Sequence, residues 1–484
     1  MKTQERTSLI KSFLQFSAGP WLSALISFIA TPITTYLIIP AEFGKASMYT
    51  VAFSLILQVV LLGTDQSFVR MFSEHKEADR STLMWNCLAP SLTISAFAAI
   101  LLLLLKREVS LLLFDSPDHL MPVFIMIATI VIAVLERFAT LVLRMKKRGI
   151  AFSSLRVVHA AAQAGGLIFY ALVVARNFYA VIFGTFISHV VVLIVSVYME
   201  RSFWKKGFAL SKTKIREAVL YGLPFVPAFM VTWLFQSMDK LALRSFSTFD
   251  QIGLYAAANK VVAVLLLIQA GFSTFWTPVA YEKFEKKPED SVFFGKMFGL
   301  LSAVMFIMGL LVIGFKDLII LILDRAYLPA ASIMPFLIFH PIMYTVSETT
   351  VMGINFLKKT YWHMAIALIA ASANLVGNIL FVPTFGARGA ALSTGLSYII
   401  FFYSRTLISR KLYPVDYRLA RFTIAVMCCV SVALINTFID SRVLEIGSVV
   451  IGLTAASIMY RKELRYSLKM LRDFIYRRKR TSKQ

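Results

Sequence analysis

Apolar runs of about 20 residues, the length a helix needs to cross a hydrocarbon core of ~30 Å, recur along nearly the whole chain. In lipid, every backbone N–H and C=O has to find its partner within the protein, so a chain of such runs folds as spanning helices. Composition points the same way. Of 484 residues, 58 % are hydrophobic and only 16 % charged, whereas soluble domains carry about a quarter charged residues. A multidomain soluble enzyme and a disordered scaffold both fit poorly. Cys87, Cys428 and Cys429 lie inside apolar runs and offer neither a disulfide framework nor a paired CxxC metal site.

Met1 to Lys11 is short and polar. The apolar run after it is too long for a signal core and lacks a small-residue cleavage site, so a retained first span bent by Pro20 and Pro32 is expected. Periodicity and length predict fourteen spans, at 12–38, 45–68, 82–105, 119–143, 150–174, 178–199, 216–239, 252–279, 294–315, 330–354, 362–382, 387–404, 421–438 and 442–460. A breaker or a charge marks the short separations at 175–177 and 383–386, and the segment from Lys316 to Tyr327, apolar but containing Asp317, Asp324 and Arg325, is expected to be an interfacial loop.

The chain carries 50 Lys and Arg against 26 Asp and Glu, a net charge of +24. With the N-terminus in the cytoplasm, the cytoplasmic segments hold about four times as many of these cations as the outer loops, as the positive-inside rule requires. The charge is therefore mostly topology, and no nucleic-acid partner is expected. Both termini are expected in the cytoplasm.

Glu42-Phe43-Gly44 after the first span echoes Gln251-Ile252-Gly253 after the seventh. Ala180 and Gly184 entering the sixth span echo Ala391 and Gly395 entering the twelfth. An offset of roughly 210 residues, six spans, is a parallel repeat. The expected fold is all-α: a polytopic membrane protein with about 14 transmembrane helices, two six-helix lobes around a central cavity and two C-terminal helices. The N-lobe is placed at 1–209, the C-lobe at 210–412, spans thirteen and fourteen at 413–460, and a basic amphipathic tail on anionic lipid at 461–484.

Three groups of residues resemble a known family. They are Ser237-Met238-Asp239-Lys240 with Gly253-Leu254-Tyr255, Lys260 and Phe275-Trp276-Thr277-Pro278; Gly353-Ile354-Asn355 with Lys358-Lys359, Asn374, Asn378, Pro383, Gly386 and Gly389-Ala390-Ala391; and Phe43-Gly44 with Gly63 and Phe68-Val69-Arg70. The pattern is similar to the bacterial polysaccharide transporters, the Wzx-type O-antigen and exopolysaccharide flippases of the MATE-like exporter superfamily. That resemblance implies movement of undecaprenyl-diphosphate-linked oligosaccharide across the plasma membrane by alternating access. It implies polysaccharide polymerase machinery as a neighbour, no cofactor and no catalysis.

A charge at the centre of a spanning helix costs about 2.5–3.5 kcal/mol, so each one needs a partner or a wet cavity. Arg137, Arg156 and Lys260 are the candidate diphosphate cations. Gln163, Asn259, Asn374 and Asn378 are candidate sugar contacts, with Tyr170 and Tyr344 as stacking surfaces. For ion coupling or gating, the candidates are Glu348 with His340 on the same face, Asp65, and the Asp239–Lys240 pair. Plainer roles are open to most of them. Arg137 can pair with Asp65 or Glu348, Arg156 can reach the inner surface, and His159 can be a bonded interior histidine. Asn374 and Asn378 can join helices.

Gly44-Lys45 and Gly295-Lys296 are followed by Ala and Met, so no phosphate-binding GxxxxGK[ST] loop exists. HExxH, GxSxG and CxxC are absent as well, and neither an enzyme nor a metal site is expected. A MATE-type, cation-coupled drug exporter is the alternative, against which three deep basic residues speak.

Overall fold

The computed structural model describes residues 2–465, with side chains from residue 19 onward, and the regular structure in this range is helical throughout. The chain divides into two compact units, Met1–Leu241 and Ala242–Gln484.

In the first unit the helices are α1 (Lys2–Leu37), α2 (Pro40–Leu61), α3 (Thr64–Met71), α4 (Arg80–Leu104), α5 (Lys106–Phe114) and α6 (Leu120–Met145). They continue with α7 (Gly149–Val173), α8 (Phe178–Met199), α9 (Arg201–Lys205), α10 (Lys212–Gly222) and α11 (Phe225–Phe246), the last of which runs across the boundary. The breaks follow the sequence punctuation. Pro40 sits in the first turn of α2, where its missing N–H costs nothing. Gly63, at φ +67°, separates α2 from α3, and a Cβ there would lie 2.2 Å from the Gly222 carbonyl oxygen. Only glycine allows both the left-handed turn and this approach. Ser67 Oγ then donates to the Ala218 carbonyl at 2.6 Å, fixing α10 against α3. Pro224 cannot continue the α10 ladder, and the α10–α11 pair bends by 42°.

At one end of this unit, buried Glu200 accepts from Lys146 Nζ and Arg148 Nη1, each at 2.5 Å. Burial pushes the Glu200 carboxyl up, but the two cations outweigh it and hold the group below the ordinary carboxylate range. This clamp joins the α6–α7 turn to the end of α8.

The second unit comprises α12 (Phe249–Val262), α13 (Val264–Lys286), α14 (Ser291–Gly314), α15 (Lys316–Ile320), a 3-10 segment at Arg325–Ser332, α16 (Met334–Leu337) and α17 (Phe339–Thr350). Then come α18 (Met352–Phe356), α19 (Tyr361–Phe385), α20 (Ala387–Leu412), α21 (Leu419–Phe438) and α22 (Arg442–Met459). Phe402 and Phe422 stack at 4.4 Å in its core, with Phe298 and Phe306 against them.

Among the described residues, eleven helices are long and apolar enough to cross a membrane, or up to thirteen if two bent pairs each count as one span. This is a multi-pass membrane protein, although the count of fourteen is not reached. The run predicted at 387–404 is the longer helix α20, and Arg388, Arg405, Arg410 and Lys411 make it too polar to qualify. The stretch from Lys316 is not an open loop either. It forms α15, with Lys316 buried and its Nζ 2.8 Å from Glu445 of α22. Most of the basic tail expected at 461–484 lies outside the described residues.

Candidate functional site

Three helices of the first unit bring their polar faces to one cavity of about 560 Å³, closed on another side by α1. α7 supplies Arg156, His159 and Gln163 at i, i+3 and i+7, one stripe of a 3.6-residue helix. α6 contributes Glu136 and Arg137, and α8 contributes His189. Arg137 donates from Nη2 and Nε to Asp65 Oδ2, at 2.7 and 3.1 Å. Asp65 also accepts from Gln66 Nε2 at 2.9 Å. The Asp65 side chain is 4 % exposed and that of Arg137 44 %, so the pair is anchored at the acid and wet at the base.

His189 Nδ1 is hydrogen-bonded to Glu136 Oε2. The His159 and His189 rings meet edge-on, centroids 5.1 Å apart, and Ser188 Oγ lies 3.4 Å from His159 Nε2. The exposed Arg156 guanidinium stands 5.6 Å from the Phe152 ring. Gln163 Nε2 reaches Thr185 Oγ1 at 3.4 Å. Tyr170 packs on Phe183, 5.4 Å between centroids, beyond the cavity lining.

Two of the three predicted cations and one predicted amide therefore share a cavity. Glu136 and His189 join them without having been singled out. The available signal was an acid and an imidazole on the fourth and sixth spans, each with a hydrophobic surround that obliges it to find a partner.

A smaller cavity of about 340 Å³ in the same unit is lined by Lys240 with Thr50, Ser54, Gln58 and Gln236. Trp233 Nε1 donates to Ser54 Oγ at 3.0 Å beside it, and Asp239 is buried.

In the second unit, His340, Tyr344 and Glu348 form the expected row on α17. Each meets a residue of α20: His340 stacks on Tyr398 at 4.0 Å, Tyr344 on Phe401 at 5.7 Å, and Glu348 Oε1 accepts from Arg405 Nη1 at 2.9 Å. Ser273 Oγ donates to Glu348 Oε2 at 3.3 Å. Arg405 lies one residue beyond the apolar run at 387–404, so the sequence pattern does not mark it as a deep cation. Glu348 is thus held in an ion pair with a neighbouring helix. Asn374 and Asn378 are sealed between α19 and α20, where Asn378 Nδ2 donates to Asn374 Oδ1 at 3.1 Å and Ser393 Oγ to the Asn374 carbonyl at 2.7 Å. They join helices rather than face an opening. Asn259 and Lys260 are exposed in the last turn of α12.

Comparison with known proteins agrees with this architecture. Residues 9–282 match the family described as polysaccharide biosynthesis protein. An uncharacterized membrane protein of Methanocaldococcus jannaschii is 24 % identical over 293 residues, 58 % of this chain and 58 % of that one, so the match spans little more than half of its relative. In three dimensions the chain is similar to the lipid II flippase MurJ in an inward closed conformation, with a TM-score of 0.69, 15 % identity, and 95 % of this chain and 99 % of that one covered. It is also similar to the Vibrio cholerae MATE transporter VcmN, with a TM-score of 0.55, 16 % identity, and 84 % and 97 % covered. At these identities the likeness is one of fold.

Proposed function

Since the chain belongs to the polysaccharide biosynthesis protein family, we propose that it is a flippase moving undecaprenyl-diphosphate-linked oligosaccharide from the inner to the outer leaflet of the plasma membrane. One observation carries the reading. Within a membrane-spanning unit, a cavity presents Arg137, Arg156, His159, His189 and Gln163 against a single carboxylate, Glu136. A diphosphate asks for guanidinium donors and a glycan for amides and imidazoles, and both kinds face the same space. The resemblance to the Wzx-type transporters supports an O-antigen or exopolysaccharide repeat unit as the glycan. No catalytic step is assigned to the chain. Movement is driven by an ion gradient, the membrane potential or removal of product.

The MATE-like fold keeps a second reading, export of small organic cations. A cavity for such cargo should be acidic, and this one is lined by two guanidinium groups and one acid, Glu136, which is hydrogen-bonded to His189. Deleting the gene and following lipid-linked glycan separates the two. Accumulation of undecaprenyl-linked intermediates with loss of surface polymer supports the flippase. Normal polymer with increased sensitivity to cationic drugs supports the exporter.

A further inference from the structure

Glu136 of α6, His159 of α7 and His189 of α8 each offer one ligand atom, and these three atoms lie within 4.8 Å of one another. We infer that they form a binding site for a divalent transition-metal ion of the zinc type, with its remaining position open to the cavity. Two imidazoles and one carboxylate are a donor set that zinc uses with a fourth ligand from water or substrate. A tetrahedral ion with bonds of about 2.0–2.2 Å holds its donors roughly 3.4 Å apart. Glu136 and His189 are in hydrogen-bond contact and would spread toward that spacing to admit the ion, while His159 closes toward them.

The surroundings favour this class of ion over others. Sodium, magnesium and calcium take oxygen donors, and two of the three groups here are imidazoles. Arg156 stands one turn from His159 and lines the same cavity, so a weakly held hard cation is repelled. An ion bound through strong imidazole bonds outweighs that repulsion. Arg137 is neutralised by Asp65. The ligands sit on rigid helices: Ser188 Oγ is beside the His159 ring and the Phe53 ring packs 5.4 Å from that of His189, so the imidazoles are oriented before any ion arrives. The site is independent of the cargo, since its three protein ligands come from the chain itself.

The test uses the full-length protein in detergent, purified by a tag without histidine and stripped with a chelator. Cobalt(II) is titrated in and followed by its visible absorption, then displaced with zinc. One equivalent per chain is expected, with the band intensity of a low-coordinate site. Glu136→Gln and His159→Asn should each weaken binding by at least about tenfold, while His363→Asn, in the second unit, should leave it unchanged. His189→Gln is the third ligand variant; if it does not fold, the other two decide. Absence of saturable binding overturns the assignment. So does binding that survives both Glu136→Gln and His159→Asn.

Discussion

The Glu42 carboxylate accepts a hydrogen bond from the backbone N–H of Phe178, 2.9 Å away, at the first residue of α8. It satisfies one of the orphan donors of that helix from 136 residues away in sequence. In the second unit Gln251 Oε1 accepts from the N–H of Ala387, the first residue of α20, at 3.0 Å and again across 136 residues. The weak echo between Glu42-Phe43-Gly44 and Gln251-Ile252-Gly253 is thus a duplicated cap. The acidic and amide side chains do the same work at matching helix ends.

Removing either cap should cost about 0.5–2 kcal/mol, as for other N-terminal helix caps. Glu42→Ala and Gln251→Ala should each lower the unfolding temperature of the detergent-solubilised protein. Glu42→Gln, which keeps an acceptor oxygen, should lower it least.

The Glu348–Arg405 pair makes a sharper prediction. Its side chains are only 14 % and 9 % exposed, and breaking such a pair leaves an uncompensated buried charge worth about 3–5 kcal/mol. Glu348→Gln should therefore be strongly destabilising. Joint replacement of Glu348 and Arg405 by Leu and Met should recover much of the loss. Intact stability with a lost response to an imposed proton or sodium gradient in proteoliposomes would instead give Glu348 the coupling role.

Arg137 and Arg156 should separate in their effects. Arg137→Ala strips the partner from buried Asp65 and should reduce protein level as well as surface polymer. Arg156→Ala should reduce surface polymer at near-normal protein level, and Arg156→Lys should rescue it in part, because charge persists without the bidentate fork. Full activity of a folded Arg156→Ala variant removes the diphosphate assignment from this residue.

Glu200 titrates below the ordinary carboxylate range, so its contribution to stability is complete above that range and is lost as pH falls through the lowered value. Unfolding temperature should fall on acidification below about pH 4.5. Glu200→Gln should be less stable than wild type at neutral pH and should show a smaller acid fall. Equal slopes in the two proteins would mean that the clamp contributes nothing.

Topology is open to a direct check. On the positive-inside rule both termini are expected in the cytoplasm, so a fluorescent protein fused after Gln484 should fluoresce and a periplasm-dependent reporter should stay silent. The reverse would mean that one span of the bent pairs or α20 does not cross.

The sequence by itself determined that the chain is built of apolar helices, where proline and glycine interrupt most of them, and which polar residues share a face. Arg156, His159 and Gln163 on α7, like His340, Tyr344 and Glu348 on α17, were legible because helical period is a local property. The repeat was faintly legible too. Only the tertiary structure decided who meets whom: Arg137 with Asp65, Glu348 with Arg405, and Glu136 with two histidines from two other helices. Partners in a helical bundle depend on which helices become neighbours and how each is rotated about its axis. Those are set by packing summed over the entire interface, such as the approach of Gly63 to Gly222, and no local spacing records them. The pairings then follow from electrostatics, since a charge in low dielectric takes whichever opposite partner the packing has brought within reach.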